Sequence, residues 1–321
     1  MIRKIDISHK TVFFIAGFLA FIWTLFLIKD LILLLFVSII FVSAIAPLID
    51  DLKRFKIPKP VAIALVYILV LLVLAGIITL GLTPITVQTS NLLDRLTSTV
   101  DSLARGYHLD QNSLKQQIPD LSKNIVSFTL DIFNVFITAV LVVVITFYLL
   151  LDKENLETRF SALFGENQAK VAALLKKIET KLGAWLRGQL LLSVIVAVLI
   201  YIGLFLLGIE YALPLAILSG LLEVIPIVGP IISAIPAILI ALLTSPVVAG
   251  MVAMLYLLVQ QMESHVIVPQ VMKRAVGLNP LLVIIAIAVG SRLLGVAGAL
   301  LAVPITVVIQ IVGEEYLNNA A

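Results

Sequence analysis

Apolar residues in this chain form long, nearly uninterrupted runs, and short polar segments separate them. Ordinary runs cover about 11–28, 31–49, 61–82, 125–151, 189–209 and 247–268. About 20 apolar residues in a helix are enough to cross the roughly 30 Å hydrocarbon core of a bilayer. With two further runs of unusual length, the pattern predicts an all-α integral membrane protein with about eight hydrophobic segments.

The first unusual run, about 211–243, fits neither one crossing nor two. As one helix it would extend about 50 Å, and two full crossings would need about 40 residues. Pro226, Gly229 and Pro230 lie near its middle. Proline removes a backbone donor and interrupts a helix. The sequence therefore predicts two short arms that enter and leave, or a broken helix.

A second run, about 279–312, has the same awkward length, with Gly290 and Gly295 near its centre. Paired interrupted hydrophobic segments are the sequence pointer to a transporter's binding site. Re-entrant hairpins would leave Lys273 and Arg274 on the cytoplasmic side, whereas full spans would place them outside. We favour hairpins for both runs.

Basic residues near the N-terminus and in the 51–60 loop orient the chain by the positive-inside rule. The N-terminus is therefore expected in the cytoplasm, and the polar segment 84–125 outside, as an amphipathic helical segment. The segment 152–188 carries an apolar helical stripe. It is predicted to be a cytoplasmic amphipathic helix on the membrane surface, with Trp185 at the level of the headgroups.

The resulting organisation places function in the second half of the chain. Spans one to three (1–83) form a scaffold, 126–151 is span four, 189–313 is a proline-broken transport core, and 314–321 is a tail. Eight of the chain's thirteen prolines, and only six charged residues, lie between Gly188 and Gly313. A charge in hydrocarbon is costly unless it is paired or faces water, so these few charges are functional candidates.

Composition excludes several classes of protein. The chain is 61% hydrophobic and 13% charged, with a net charge of +3 and no cysteine. No basic face with interleaved aromatic residues suggests a nucleic-acid partner. No motif for a hydrolase, a nucleotide-binding loop or a metal site is present, so we expect no enzyme activity and no cofactor. The expected partners are the lipid bilayer and a small polar solute, or a monovalent cation or proton.

The strongest candidate site lies at the end of the 247–268 run. Gln260, Glu263 and Ser264 have the spacing of one helix face, and Pro269 is expected to end that helix and free carbonyls beside them. These side chains could bind a polar solute, and Glu263 could exchange a proton. In the alternative interpretation, Glu263 pairs with His265 or Arg274 and has a structural role.

Glu223 is the second candidate, three residues before Pro226 at the first break. It could meet a cation there, or it could be a cap or ion pair that holds the hairpin closed. Arg292, at the second break, could pair with Glu223 or Glu263, or bind an anionic or hydroxyl-rich solute. The sequence leaves these choices open. Gly290 and Gly295 are typical of close helix packing.

Three motifs in order resemble the autoinducer-2 exporter family of bacterial and archaeal permeases. They are LLEVIPIVGPIISAIPAIL, QQMESHVIVPQVM and VGLNPLLVIIAIAVGSRLLGVAGALLAVPI. The resemblance implies about eight membrane segments, a homo-oligomer, and transport without ATP hydrolysis. Some members export the quorum-sensing signal autoinducer-2, and others are assigned cation/proton antiport. Ile227 replaces the tyrosine usual after I-P, so contacts at that turn depart from the family's pattern.

The function expected from all of this is export of a small polar solute by a permease in the cytoplasmic membrane of a bacterium or archaeon. Autoinducer-2 is the first solute to consider, and the mechanism would be gradient-driven alternating access. Gln260, Glu263 and Ser264 would bind the solute, and Glu223 or Glu263 would couple a proton or cation. Sodium/proton antiport is the alternative. A non-transport scaffold in envelope or sporulation assembly is the second alternative.

Overall fold

The computed structural model describes residues 9–82, 138–226, 228–272 and 279–320, and within these ranges all regular structure is helical. The helices are α1 (His9–Leu27), α2 (Lys29–Arg54), α3 (Lys59–Ile77), α4 (Thr138–Leu151), α5 (Lys153–Ala162), α6 (Gln168–Leu206), α7 (Ala212–Leu222), α8 (Val228–Thr244), α9 (Pro246–Met262), α10 (Val268–Met272) and α11 (Pro280–Ala320). Two π-helical turns, Ile78–Leu82 and Glu263–Ile267, follow α3 and α9, and a short 3₁₀ turn, Gly165–Asn167, precedes α6.

Five helical segments within the described ranges are long and apolar enough to cross a membrane. They are Lys29–Arg54, Lys59–Gly81, Gly165–Leu206, Pro246–Val271 and Leu281–Leu317. Many large apolar side chains on these helices are exposed, which is the surface that hydrocarbon covers and water does not. The predicted all-α, multi-pass membrane protein is confirmed.

The first unusual run is a helical hairpin made of α7 and α8, which pack against each other. Its tip is narrow at Gly229, where an added Cβ would lie 2.0 Å from the backbone oxygen of Leu222. Only glycine permits that approach. Pro226 lies in the connection, and Pro230 is the third residue of α8. The predicted break at these residues is confirmed.

The second unusual run is also a hairpin, although its two arms both belong to α11. The chain reverses at Gly295, whose φ of 61° and ψ of −139° are not helical. A Cβ added to Gly298 would lie 2.0 Å from the backbone oxygen of Gly290. In a continuous helix, residues eight apart would be separated by about 12 Å. Both runs are therefore broken hairpins, as predicted, and the depth to which they enter the membrane stays a prediction.

Helix α6 is one continuous helix of 39 residues and about 58 Å. It joins part of the predicted surface segment 152–188 to the fifth span, so no break separates the two near residue 188. Trp185 is 3% exposed and packs in a cluster with Ile40 and Leu301. The prediction of Trp185 at the headgroups is wrong, because its apolar stripe is covered by α2 and α11 instead of lipid.

Helices α2 and α6 cross at a proline inside α2. Pro47 has no N–H, so the carbonyl of Ser43, four residues earlier, loses its helical donor. The Arg187 guanidinium donates to that carbonyl over 3.4 Å and to the Ala44 carbonyl over 3.2 Å. Gly183 allows the approach, since a Cβ there would lie 2.2 Å from the Ser43 oxygen. The crossing replaces a lost backbone hydrogen bond with a charged donor.

The buried apolar side chains form three clusters. The largest joins the C-terminal half of α6 to α7, α8 and α9. A second joins α2, the middle of α6 and the second arm of α11, and a third joins α2, α3 and α4. Helix α2 therefore contributes to two clusters, and the first hairpin is enclosed between α6 and α9.

Some predictions lie outside the described residues. They concern the external segment 84–125, span four before residue 138, Ile227, and the side chains Lys273 and Arg274. The division into a scaffold (1–83) and a transport core (189–313) stays a prediction.

A buried polar cluster as candidate functional site

Glu223 lies directly after α7, at the tip of the first hairpin. Its N–H donates to the Ser219 carbonyl over 3.0 Å, as in a last helical turn, and the break at Pro226 follows. Its own backbone carbonyl accepts a 2.7 Å hydrogen bond from the Gln189 side-chain amide of α6. The Glu223 side chain is only 1% exposed. Burial and the negative end of the α7 dipole both disfavour a negative charge there.

Glu263 opens the π-helical turn after α9, and its side chain is 5% exposed. It continues the buried stripe of α9, which contains Val252, Tyr256 and Val259 at intervals of four, three and four residues. That spacing directs Glu263 toward the first hairpin, as it does the apolar residues before it. π-helical turns occur frequently at functional sites.

The side chains of Glu223 and Glu263 contact each other across the interface between the hairpin and the end of α9. Both carboxyl oxygens of Glu223 and Oε2 of Glu263 are buried with no other hydrogen-bond partner. Two ionised carboxylates are both acceptors and cannot bond to each other, whereas a protonated one donates to its neighbour. The two predicted carboxylates therefore form one site.

Two buried hydroxyl groups lie near this pair along the helices, Ser219 one turn before Glu223 and Tyr256 two turns before Glu263. Ser219 Oγ donates to the Leu215 carbonyl over 2.9 Å and lies 2.9 Å from the Tyr256 hydroxyl. Because Ser219 uses its proton on Leu215, the Tyr256 hydroxyl donates to Ser219. Tyr256 also interacts with Ser233 of α8. The polar cluster is defined here by the following residues: Gln189, Ser219, Glu223, Ser233, Tyr256 and Glu263.

The other predicted site residues are placed differently. Gln260 is half-buried and Ser264 is exposed, so Ser264 does not share the buried position of Glu263. Pro269 does not end the helix, since α10 continues to Met272. The prediction that Pro269 ends the helix is therefore wrong, and the irregular segment is the π-helical turn Glu263–Ile267 just before it.

The predicted ionic partners of the carboxylates are not observed. Arg292 is exposed on the first arm of α11 and forms no ion pair with Glu223 or Glu263. His265 is exposed, and its Nδ1 lies 3.0 Å from the Gln261 carbonyl. Glu263 is therefore not paired with His265, and Arg274 lies outside the described residues. Within the described residues, the carboxyl pair has no cationic neighbour.

Sequence reasoning missed Gln189, Ser219, Ser233 and Tyr256. A weak signal existed: Ser219 and Glu223 are four residues apart, and Tyr256 precedes Glu263 by seven, so each pair shares a helix face. Single hydroxyl and amide side chains are too common in membrane helices to indicate a site without knowing which faces meet.

A second charged region, separate from the polar cluster, contains ion pairs around Glu154. Glu154 of α5 lies 3.1 Å from Lys59 and 3.6 Å from Lys53. The hydrogen bond and charge of Lys59, with the charge of Lys53, lower the pKa of Glu154 below its usual value near 4.5. These contacts hold the α2–α3 connection to α5. Within the described residues, no three His, Cys, Asp or Glu side chains form a metal site.

Comparison with known sequences gives a match over nearly the whole chain. The model of a family described as AI-2E family transporter matches residues 12–318. YrrI of Bacillus subtilis strain 168 is 31% identical over 189 residues, which cover 59% of this chain and 54% of YrrI.

Two further relatives have names that state a transported species. The AI-2 transport protein TqsA of Escherichia coli K12 is 24% identical over 311 residues, covering 90% of this chain and 86% of TqsA. A sodium-lithium/proton antiporter of Halobacillus andaensis is 24% identical over 278 residues, covering 77% of this chain and 79% of the antiporter. The chain is thus similar to a solute transporter and to a cation exchanger at the same level of identity.

Proposed function

This chain belongs to the AI-2E transporter family, and on that premise we propose that it is a gradient-driven permease that exports a small polar solute. Membership confirms the resemblance seen in the three sequence motifs. Autoinducer-2 is the first solute to test, because a relative is named for transporting it.

The observation that carries the proposal is the contact between Glu223 and Glu263. Two buried carboxyl groups without a cationic neighbour in the described residues are expensive for a protein that only needs to fold. They lie between a broken hairpin and an interrupted helix, which is where transporters place their binding sites. In the proposal, Gln260 and Glu263 contact the solute, and the carboxyl pair couples its movement to a proton or cation.

Exchange of sodium or lithium for protons is the second candidate function. Hard cations prefer oxygen ligands, and the carboxyl pair supplies oxygen atoms that no other described group uses. The similarity to a sodium-lithium/proton antiporter supports the same candidate.

Flux of autoinducer-2 into proteoliposomes tests the first candidate. We expect uptake by the wild-type protein and its loss in Glu263→Gln, which removes the charge but keeps the shape. Glu210→Gln is the matched control, because Glu210 is exposed next to α7. Equal flux in Glu263→Gln and in the wild type would exclude a role for this carboxyl group.

Addition of sodium to proteoliposomes with a preset pH gradient tests the second candidate. A wild-type exchanger collapses the gradient, and Glu223→Gln and Glu263→Gln do not. A folded protein that passes neither assay would favour a non-transport role in envelope or sporulation assembly.

Alternating access would require the first hairpin, together with the part of α6 that holds it, to move against the scaffold of spans one to three. The π-helical turn after α3 contacts α7, since a Cβ added to Gly81 would lie 2.5 Å from Ile217 Cγ2. The chain has no cysteine, so Gly81→Cys with Ile217→Cys gives a defined crosslink. We expect oxidation to stop flux and reduction to restore it, while each single variant is unaffected by oxidation. Undiminished flux in fully crosslinked protein would exclude movement between these two segments.

The proposed setting is the cytoplasmic membrane, with the N-terminus inside and 84–125 outside, in a homo-oligomer. A single cysteine at exposed Lys56 would then react with an impermeant reagent only after the cells are opened. Reaction in intact cells would reverse the assigned orientation. The subunit number is measured by the mass of the detergent-solubilised complex.

A further inference from the structure

We propose that Glu223 and Glu263 form a single site for one proton, and that this shared proton holds the hairpin tip against the end of α9. Release of the proton would separate the two elements. This proposal rests on the proposed function, because it specifies which ion the same site binds and which movement follows when that ion is released.

The first step of the argument is the hydrogen-bonding capacity of the pair. Both side chains are nine-tenths or more buried, and three of their four oxygens have no other partner. The two carboxyl groups nevertheless contact each other. Two carboxylate oxygens are both hydrogen-bond acceptors, so they can lie in contact only with a hydrogen between them. One proton bound to the pair supplies that hydrogen. With no proton, the oxygens would be buried, unsatisfied and mutually repelling.

The second step is the charge around the pair. Among the described residues, no basic side chain acts on either carboxyl group, and the charged group that acts on each is the other carboxyl. The buried polar side chains on the helices packed around the pair are all neutral: Gln189 and Ser193 of α6, Ser219 of α7, Ser233 of α8 and Tyr256 of α9. Lys273 and Arg274 lie outside the described residues. With no neighbouring cation, a second negative charge on the pair has nothing to offset it. Two contacting carboxyl groups then titrate as one coupled site.

The third step identifies which side moves. Gln189 holds the backbone of Glu223 on α6, and Gly220 packs closely on the Ser193 carbonyl of the same helix. The hairpin tip is therefore fixed to α6. Glu263 lies on a π-helical turn, where one extra residue in the turn makes a shift of register possible. When the proton leaves, the segment that carries Glu263 is the one expected to withdraw.

Distance measurement between spin labels tests the movement without any substrate. Cysteines replacing exposed Leu221 and Val266 place one label beside each carboxyl group. A control pair replaces exposed Leu213 and Met254, which lie farther back on α7 and α9. We expect the first distance to stay constant while the shared proton is bound and to lengthen over the pH range in which it is lost, while the control distance stays constant throughout. The variant Glu223→Gln with Glu263→Gln should show no change, because two amides bond to each other without a titrating proton.

Infrared spectroscopy of the same samples counts the protons. The band of protonated carboxyl groups that disappears in the double glutamine variant should correspond to one group per chain at neutral pH. A band intensity that corresponds to two protonated carboxyl groups per chain, or to none, would overturn the single-proton site. A constant label distance while the band is lost, or the same lengthening in the double glutamine variant, would overturn the coupling to movement. Both measurements use detergent-solubilised full-length protein, so a failure here is distinguishable from an absence of solute flux.

Discussion

The side-chain amide of Gln189 donates to the backbone carbonyl of Glu223 over 2.7 Å, inside the bundle and 34 residues away in sequence. The chain is broken immediately after Glu223, so α7 does not continue past this carbonyl in a regular helix. A side chain from α6 therefore satisfies backbone that the hairpin leaves open, which is the condition for irregular structure in a membrane.

Replacing Gln189 by leucine should destabilise the protein by about 1 to 3 kcal/mol, because it leaves a buried carbonyl without its donor. Transport should fall as well, since the Glu223 backbone loses its anchor. Thermal unfolding in detergent and flux in proteoliposomes measure the two effects. Gln310→Leu is the control, because Gln310 is exposed and its side-chain amide donates to Glu314, one turn along the same helix, over 2.9 Å. Equal effects of the two substitutions would contradict the assigned role.

The hydroxyl contact between Ser219 and Tyr256 should be worth about 1 kcal/mol, as is typical of a neutral buried hydrogen bond. Tyr256→Phe and Ser219→Ala each lose it, and the double variant loses it only once. We therefore expect the double variant to be less destabilised than the sum of the single variants. Unfolding in detergent measures this cycle, and strict additivity would show that the two hydroxyls do not interact.

Gly229→Ala should destabilise the first hairpin by about 1 to 3 kcal/mol, because a Cβ there meets the Leu222 carbonyl at 2.0 Å and the tip must open. Flux should also be lost, since the tip carries Glu223. Gly250→Ala is the matched control, because no atom lies within 4 Å of its added Cβ. Thermal unfolding compares the two, and an unchanged melting temperature in Gly229→Ala would mean that the hairpin is wider than described.

Arg187→Met should cost about 1 to 2 kcal/mol, since the Ser43 carbonyl loses its charged donor. In a Pro47→Ala background the restored N–H can bond to Ser43, so the same substitution should cost less. The difference between the two costs is measured by unfolding in detergent. If the cost is the same in both backgrounds, Arg187 acts through packing instead of through the carbonyl that Pro47 releases.

Glu154 gives a pH-dependent prediction outside the membrane. Its pKa is lower in the folded protein than its usual value near 4.5, so its stabilising contribution is present above that value and is lost as pH falls through the folded pKa. The carboxylate is largely exposed, so the contribution should be below about 1 kcal/mol. Glu154→Gln should be slightly less stable than the wild type at neutral pH, and the difference should vanish once the pH is below the folded pKa of Glu154. Glu166→Gln, at an exposed site away from Lys53 and Lys59, is the matched control substitution.

The sequence by itself determined the membrane class and both hairpins. The lengths of the two unusual apolar runs excluded both a single membrane crossing and two full crossings. Pro226, Gly229 and Gly295 marked where the chain turns. These are local properties: the length of a helix, the missing N–H of proline and the backbone freedom of glycine act within a few residues, so they can be read along the chain.

Only the tertiary structure decided which groups meet. Helical periodicity shows which residues share a face, but it does not show which faces pack together. It therefore identified Glu223 and Glu263 separately, while their contact, the donor Gln189 and the exposure of Arg292 depend on how three helices are arranged. Trp185 shows the same limit, since an apolar stripe that faces a neighbouring helix and one that faces lipid have the same sequence pattern.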